Sequence, residues 1–276
     1  MLRARIFDCF TYFNEAIHLK FRLEYLSDVV DIFVVVESAY NHVGELKPFT
    51  ARSVVESLPD VISRKVRIVE VNEIPTATID VVPLQANWER EKYQRDCILR
   101  GLHDLVDDIV CISDIDEIPN ASILANVHNA LPQNVNGLNL CMDMFYYSAD
   151  NQIFKDGQPL LWNAPKIVRP NALIRPSNLR FSSDLFPNTQ PLGWHFSYMG
   201  SDEQRKIKIQ SFAHQEYNNP KVLNSLNSRR KNLQDLFGRS NFSFVPYNHV
   251  LLPELIFRKE IFRNFFLPEL EFNDSQ

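Results

Sequence analysis

Glycine is scarce in this chain: there are seven in 276 residues. None falls in a Gly-x-Gly-x-x-Gly or Walker-type pattern. A glycine loop that wraps phosphates in backbone N–H groups is therefore excluded. If a nucleotide binds, side chains or a cation must neutralise its phosphates. Cysteine is scarce too. Cys9, Cys97, Cys111 and Cys141 stand far apart, three of them in apolar strand-like runs, with no Cys-x-x-Cys or His pair nearby. That offers no zinc set and favours buried, reduced thiols. Positive charge is not in excess. The 29 Lys and Arg face 34 Asp and Glu, for a net charge of −5, which argues against a nucleic-acid partner. No stretch approaches the roughly 20 apolar residues of a membrane span. The first ten residues lack the long apolar core and small-residue cleavage site of a secretion signal. A cytoplasmic protein is expected. With no Gly-x-Ser-x-Gly elbow, nothing points to a serine nucleophile, and Cys111 lies inside an apolar strand where a thiol is inert.

Phenylalanine is abundant, at 20 residues, and 45% of the chain is hydrophobic. That is ordinary for one large globular domain. Strand-like and helix-like segments alternate at first. Arg5–Phe10, Val29–Val36, Val66–Val71 and Asp108–Ser113 have strand patterns. Val29–Val36 is almost wholly apolar, as a strand buried on both faces should be. Between them lie a helix opened by Asn14 as N-cap, with Ile17, Phe21, Leu23 and Leu26 at near-helical spacing, and a long helix over Asn87–Val106. Another helix is expected at Ala121–Ala130. This order predicts an α/β fold with a mostly parallel central sheet flanked by helices. Residues 1–135 form its first half and 136–276 its second, within one continuous domain. In the second half, Gly137–Tyr147, Pro165–Val168 and Gly193–Tyr198 have strand patterns. Ser201–His214 is a helix opened by a capping box of Ser201 with Gln204. The tail from Pro246 is rich in Phe and Leu and is expected to wrap the body. Contact of that tail with a membrane or a second subunit is the alternative.

The sharpest feature is Ser113-Asp-Ile-Asp-Glu-Ile-Pro119, at the end of an apolar run. Period-two alternation would point Asp114 and Asp116 the same way at a strand's exit. Two hard oxygen donors suit a divalent cation with positions left for water or phosphate. Ligands of open α/β sheets sit beyond the carboxyl ends of strands. The plainer alternative is a solvated turn or a helix cap. Three further groups stand out. Arg90, Glu91, Gln94 and Arg95 lie together on the long helix. They form either a salt-bridged surface face or arginines that reach phosphate. The polar loop from Glu37 through His42 and Gly44 to Pro48 follows the second strand and is a binding-loop candidate. His195, in Gly-Trp-His-Phe-Ser, is a structural histidine or the ligand that completes a carboxylate metal site, with His214 as its rival.

Five blocks occur in this order: Asp8-Cys-Phe10-x-x-Phe13-Asn14-Glu15; Val-Glu37-Ser38 with His42 and Gly44; Arg90-Glu91-x-x-Gln94-Arg95; the Asp-Ile-Asp-Glu-Ile-Pro block; and Gly-Trp194-His195-Phe-Ser197. Together they resemble glycosyltransferase family 17, which contains the transferase that adds the bisecting N-acetylglucosamine to N-glycans. The resemblance runs from about Ile6 to Tyr217 and is to the shorter microbial or viral members. It implies a GT-A fold with a Rossmann-like nucleotide half and an acceptor half towards the C-terminus. It implies inverting transfer from a nucleotide sugar, UDP-N-acetylglucosamine first, to a glycan acceptor. Donor contacts are then expected from Phe10, Asn14, Glu15, Glu37, His42, Arg90, Gln94, Arg95, Asp114 and Lys208. The metal ligands would be Asp114 and Asp116, with His195 or His214. For the base that deprotonates the acceptor hydroxyl, Glu203 comes first and Asp143 second. An acid in a helix's first turn is also favoured by the dipole alone. The competing functions are a metal-dependent phosphohydrolase or nucleotidyltransferase, and a non-catalytic glycan-binding module with Trp162 and Trp194 as stacking platforms.

Overall fold

A computed structural model describes residues 4–75, 78, 81–131, 135–182, 185 and 188–268. The chain opens with β1 (Ile6–Tyr12), α1 (Ala16–Leu26), β2 (Ile32–Ser38), α2 (Ala51–Glu56), α3 (Asp60–Ser63), β3 (Val66–Val71), α4 (Pro83–Asp96) and β4 (Ile109–Asp114). Next come β5 (Glu117–Pro119), α5 (Ala121–Ala125), α6 (Val127–Ala130), β6 (Gly137–Asn139), β7 (Met142–Tyr146), β8 (Asn151–Lys155), β9 (Gln158–Pro159), β10 (Leu161–Trp162) and β11 (Lys166–Val168). They are followed by α7 (Pro176–Leu179), β12 (Gly193–Ser197), α8 (Asp202–Ser211) and β13 (Phe242–Pro246). Short helices at Glu254–Arg258 and Glu260–Phe266 close the described chain.

The expected parallel arrangement holds for β3-β2-β1-β4, all parallel. The sheet is nevertheless mixed, because β11 runs antiparallel between β4 and β6. A second sheet, β13-β8-β7-β12-β5, also carries β9 and β10; only its β7–β12 pair is parallel. The single central sheet of the sequence reading is thus corrected to two. The apolar run Gly137–Tyr147 explains the discrepancy. It breaks at Leu140–Cys141, so that β6 pairs in the first sheet and β7 in the second. Hydrophobicity alone does not specify a strand's partner.

The first sheet is buried on both faces, as a parallel sheet should be. Phe33 and Val35 of β2 enter one core beside Leu19, Leu23 and Leu26 of α1. Val34 and Val36 enter the other, with Cys97 and Ile98. The long helix ends ten residues early. Asp96 gives way to a 3-10 turn at Cys97–Gly101. A Cβ on Gly101 would stand 2.4 Å from the Val34 side chain, so only glycine lets this turn approach β2. The helix expected at Ala121–Ala130 is interrupted at Asn126. The N-cap of α1 is Glu15 rather than Asn14, while the Ser201/Gln204 capping box forms as expected. The tail does pack on the body: Phe262 and Phe266 are buried against Phe21 of α1. All four cysteines are buried and unpaired. Among the described residues no helix is long and apolar enough to cross a membrane.

Candidate functional site

Asp8 is a lone acid inside the apolar strand β1, wholly buried on the face that α1 covers. A bare buried carboxylate is too costly to keep, so it needs a partner. Arg22 of α1 supplies it, donating through Nε and Nη2 to both oxygens at 2.8 and 2.7 Å. The same guanidinium continues to the end of β4. Nη2 donates to Ser113 Oγ at 2.6 Å, and Nη1 to the carbonyls of Asp114 and Glu117 at 2.7 and 2.9 Å. One buried arginine therefore fixes the backbone of the turn that carries the acidic pair. Desolvating an ion pair costs several kcal/mol per charge unless the remaining donors are satisfied; here the turn's carbonyls satisfy them.

The two carboxylates take separate partners. Parallel pairing sets Thr11 beside Asp114, and Thr11 Oγ1 lies 3.2 Å from Asp114 Oδ1. Arg95 of α4 reaches Oδ1 at 2.8 Å, and Arg180, just after α7, reaches Oδ2 at 2.7 Å. Burial alone would raise the Asp114 pKa, but the two guanidiniums outweigh it and hold the group well below the usual range. Asp116 lies in the turn, beyond the strand, and is only 3% exposed. Its Oδ2 accepts from Lys208 Nζ of α8 at 2.7 Å, and Oδ1 is 3.5 Å from His195 Nε2 of β12. Burial opposes ionisation here too, and Lys208 and His195 reverse it. Burial likewise lowers Lys208, and Asp116 more than restores it. The two side chains thus do not share one strand face as expected, because β4 ends at Asp114.

Glu117 forms the floor. Its carboxylate accepts from Trp162 Nε1, both Arg180 nitrogens and the Asp114 N–H. His195 packs against the Trp162 ring at 5.1 Å, and its Nδ1 is buried without a partner.

Of the residues singled out from sequence, the fold brings Arg95, Asp114, Asp116, His195 and Lys208 together. Gln94 ties α4 to the Tyr12 and Val36 carbonyls and faces His42 Nε2 at 3.3 Å; Arg90 donates to the His42 carbonyl. Gly44 packs on Arg90, where a Cβ would stand 3.0 Å from its guanidinium. Asn14, Glu15 and Lys208 line one small cavity. Five others are not brought to the pair. Phe10 is core, beneath the Arg22 guanidinium at 4.3 Å. Glu37 commits both oxygens to Lys47 and to the N–H groups of Thr50 and Ala51. Asp143 pairs with Trp194 in register, so it lies on the sheet face opposite His195, bound by Gln152 and Tyr247. Glu203 is exposed, about 140° around the helix axis from Lys208. His214 is exposed, bonded to Glu216 and edge-on to Trp88. Sequence inspection passed over Arg22, Arg180, Glu117 and Trp162 as a unit. An acid inside an apolar strand was the one signal that a buried cation must exist.

Two side chains here could serve as neighbouring ligands of a divalent cation, Asp116 and His195. An octahedral ion with bonds of about 2.1 Å spans about 3 Å between adjacent ligands, and Asp116 Oδ1 and His195 Nε2 are 3.5 Å apart. Among the described residues no three His, Cys, Asp or Glu side chains converge as a ready-made set, so water or a ligand's oxygens would fill the remaining positions.

The turn at the carboxyl edge of the parallel strands is thus ringed by arginine and lysine that pair its acids. The chain belongs to glycosyltransferase family 17, whose family model matches residues 1–260, and it is a glycosyltransferase. No curated protein matches the sequence. Among solved structures it is similar to a 4-diphosphocytidyl-2C-methyl-D-erythritol synthase, at 12% identity and a TM-score of 0.40 over 71% of this chain and 90% of that one. It is also similar to the galactosyltransferase LgtC in complex with donor and acceptor sugar analogs, at 13% identity and a TM-score of 0.32 over 59% and 57% of the two chains. A third similarity is to HddC from Yersinia pseudotuberculosis complexed with GMP-PN, at 10% identity and a TM-score of 0.35 over 67% and 83%. Likenesses this slight carry no weight for this chain's substrates.

Proposed function

We propose that this glycosyltransferase is of the GT-A type and moves N-acetylglucosamine from UDP-N-acetylglucosamine to a glycan hydroxyl, inverting the anomeric centre in one displacement. The observation that carries this reading is the Asp116 carboxylate, buried in a turn that Arg22 fixes and shared between Lys208 and His195. Asp116 and His195 are the residues that would hold Mn²⁺ or Mg²⁺. Such an ion supplies Lewis-acid stabilisation of the departing diphosphate, worth several kcal/mol. Lys208 sits where its ammonium can exchange the carboxylate for a phosphate oxygen. Arg95 and Arg180 hold Asp114 in place for the ribose side of the nucleotide. Gln94, His42 and Arg90 wall the space at the ends of β1 and β2.

The test is nucleotide release from UDP-, GDP- and CMP-sugars with and without Mn²⁺, together with thermal shift by the free nucleotides. Metal-dependent stabilisation by UDP and release from UDP-N-acetylglucosamine are expected. Stabilisation by glycans alone, with no nucleotide response, would leave a binding module instead. An Asp116→Ala variant that transfers as fast as the parent removes the metal assignment.

A further inference from the structure

The site as described lacks a base. Inverting transfer needs a group that takes the acceptor's proton, and the acids near the turn are committed elsewhere. Asp114 and Glu117 are held by Arg95 and Arg180, and Asp116 by Lys208. Asp143 lies on the far face of its sheet, and Glu203 points to solvent.

Glu15 differs from all of these. It stands at the N-cap of α1, yet its side chain does not cap that helix. Its Oε2 turns back to accept the N–H groups of Phe13 and Asn14 at 3.1 and 3.0 Å. Its Oε1 has no hydrogen-bond partner among the described residues. The carboxylate is thus fixed by one oxygen with the other left over. It borders a cavity of about 70 Å³ that Lys208 also lines, and Lys208 is the residue bonded to Asp116. A space this size admits one edge of a sugar ring or a few waters. A second wall residue, His18, is 4% exposed. Its Nε2 faces the Phe196 carbonyl at 3.1 Å and so carries the proton; Nδ1 is then a buried lone pair with no donor. Glu15 Oε1 is the carboxylate oxygen left over at a cavity that Lys208 shares, and a hydroxyl-bearing molecule would supply its missing hydrogen.

Resting on the transferase reading above, we infer that this cavity receives the acceptor's reactive hydroxyl and that Glu15 is the catalytic base. The acceptor oxygen bonds to the anomeric carbon while that carbon's bond to the diphosphate oxygen breaks. The electron pair of the broken bond leaves with the nucleoside diphosphate. The acceptor's proton passes to Glu15 Oε1 and then to water.

The experiment compares Glu15→Gln and Glu15→Asp with the parent, using UDP-N-acetylglucosamine, Mn²⁺ and a panel of methyl mannoside, galactoside and glucoside. Glutamine keeps a carbonyl oxygen for the Phe13 and Asn14 N–H groups but cannot take a proton. Glu15→Gln is expected to lose about 10²–10⁴ in acceptor-dependent kcat, with UDP binding read separately by thermal shift. Glu15→Asp retains a base set back by one methylene, so it loses less kcat than Glu15→Gln at unchanged donor KM. Glu15→Gln turning over within threefold of the parent overturns the assignment and leaves the transferase reading intact. Should Glu15→Gln fail to fold, Glu15→Ala turning over within threefold of the parent overturns it equally. A parent with no acceptor-dependent UDP release overturns the transferase reading, and this inference with it.

Discussion

The two ends of the turn Asp114-Ile115-Asp116 are held by different chemistry. Asp114 is gripped by two guanidiniums and Asp116 by an ammonium and an imidazole. Arginine stays charged at any working pH and binds through a rigid planar fork. An Arg95–Asp114–Arg180 cluster is therefore a fixed piece of architecture. Lysine is a compact charge on a flexible stem, and histidine changes charge near neutrality. The two shells thus differ in kind: a fixed guanidinium clamp on Asp114 and a more adaptable pair on Asp116. Arg22 lies beneath both, since its bonds run to the backbone on either side of the turn.

The largest effect should come from removing what the two ends share. Arg22→Met leaves Asp8 buried without a partner and frees the turn. A loss of about 3–5 kcal/mol is expected, read by urea unfolding, and ordinary stability there would show that the ion pair does not hold the turn.

The contrast between the ends is tested next. Asp116→Asn should abolish transfer and also cost some stability, because Lys208 loses its partner. Asp114→Asn should cost stability, about 1–3 kcal/mol, because Arg95 is left buried and underpaired. If the two substitutions cannot be told apart in melting and in rate, the division between architecture and working group is wrong.

A smaller effect concerns pH. Lys166 of β11 is buried, which lowers its pKa from 10.5 to about 8, with Arg180 adding repulsion. The unfolded chain then holds more protons than the folded one between about pH 8 and 10.5, so stability rises with pH across that window. Lys166→Met should remove this slope and raise stability at pH 7. A parent whose stability is flat from pH 8 to 10 contradicts it. Far from the site, the exposed Arg258–Glu254 pair should contribute no more than a few tenths of a kcal/mol. Arg258→Ala is the control against which the others are judged.

Much of this was legible beforehand. The run Val29–Val36 and the parallel order of the first four strands follow from apolar patterning, because a buried parallel strand must be apolar on both faces. The Ser201 capping box depends only on residues three apart, so it too is local. Asp114 and Asp116 were visible as acids at a strand's exit. What could not be seen was their company. Arg180 and Trp162 come from segments with no periodic pattern, and the Gly137–Tyr147 run gives no sign that it divides between two sheets.

The sequence by itself determined the strand and helix segments and which side chains can carry charge, since these depend on chemistry within a few residues. Tertiary structure alone decided that Asp8 meets Arg22, that Lys208 reaches Asp116 from 92 positions away, and that Asp143 and Glu203 face elsewhere. Burial and distance through space are set by how the two sheets pack. They are written in no single stretch of chain.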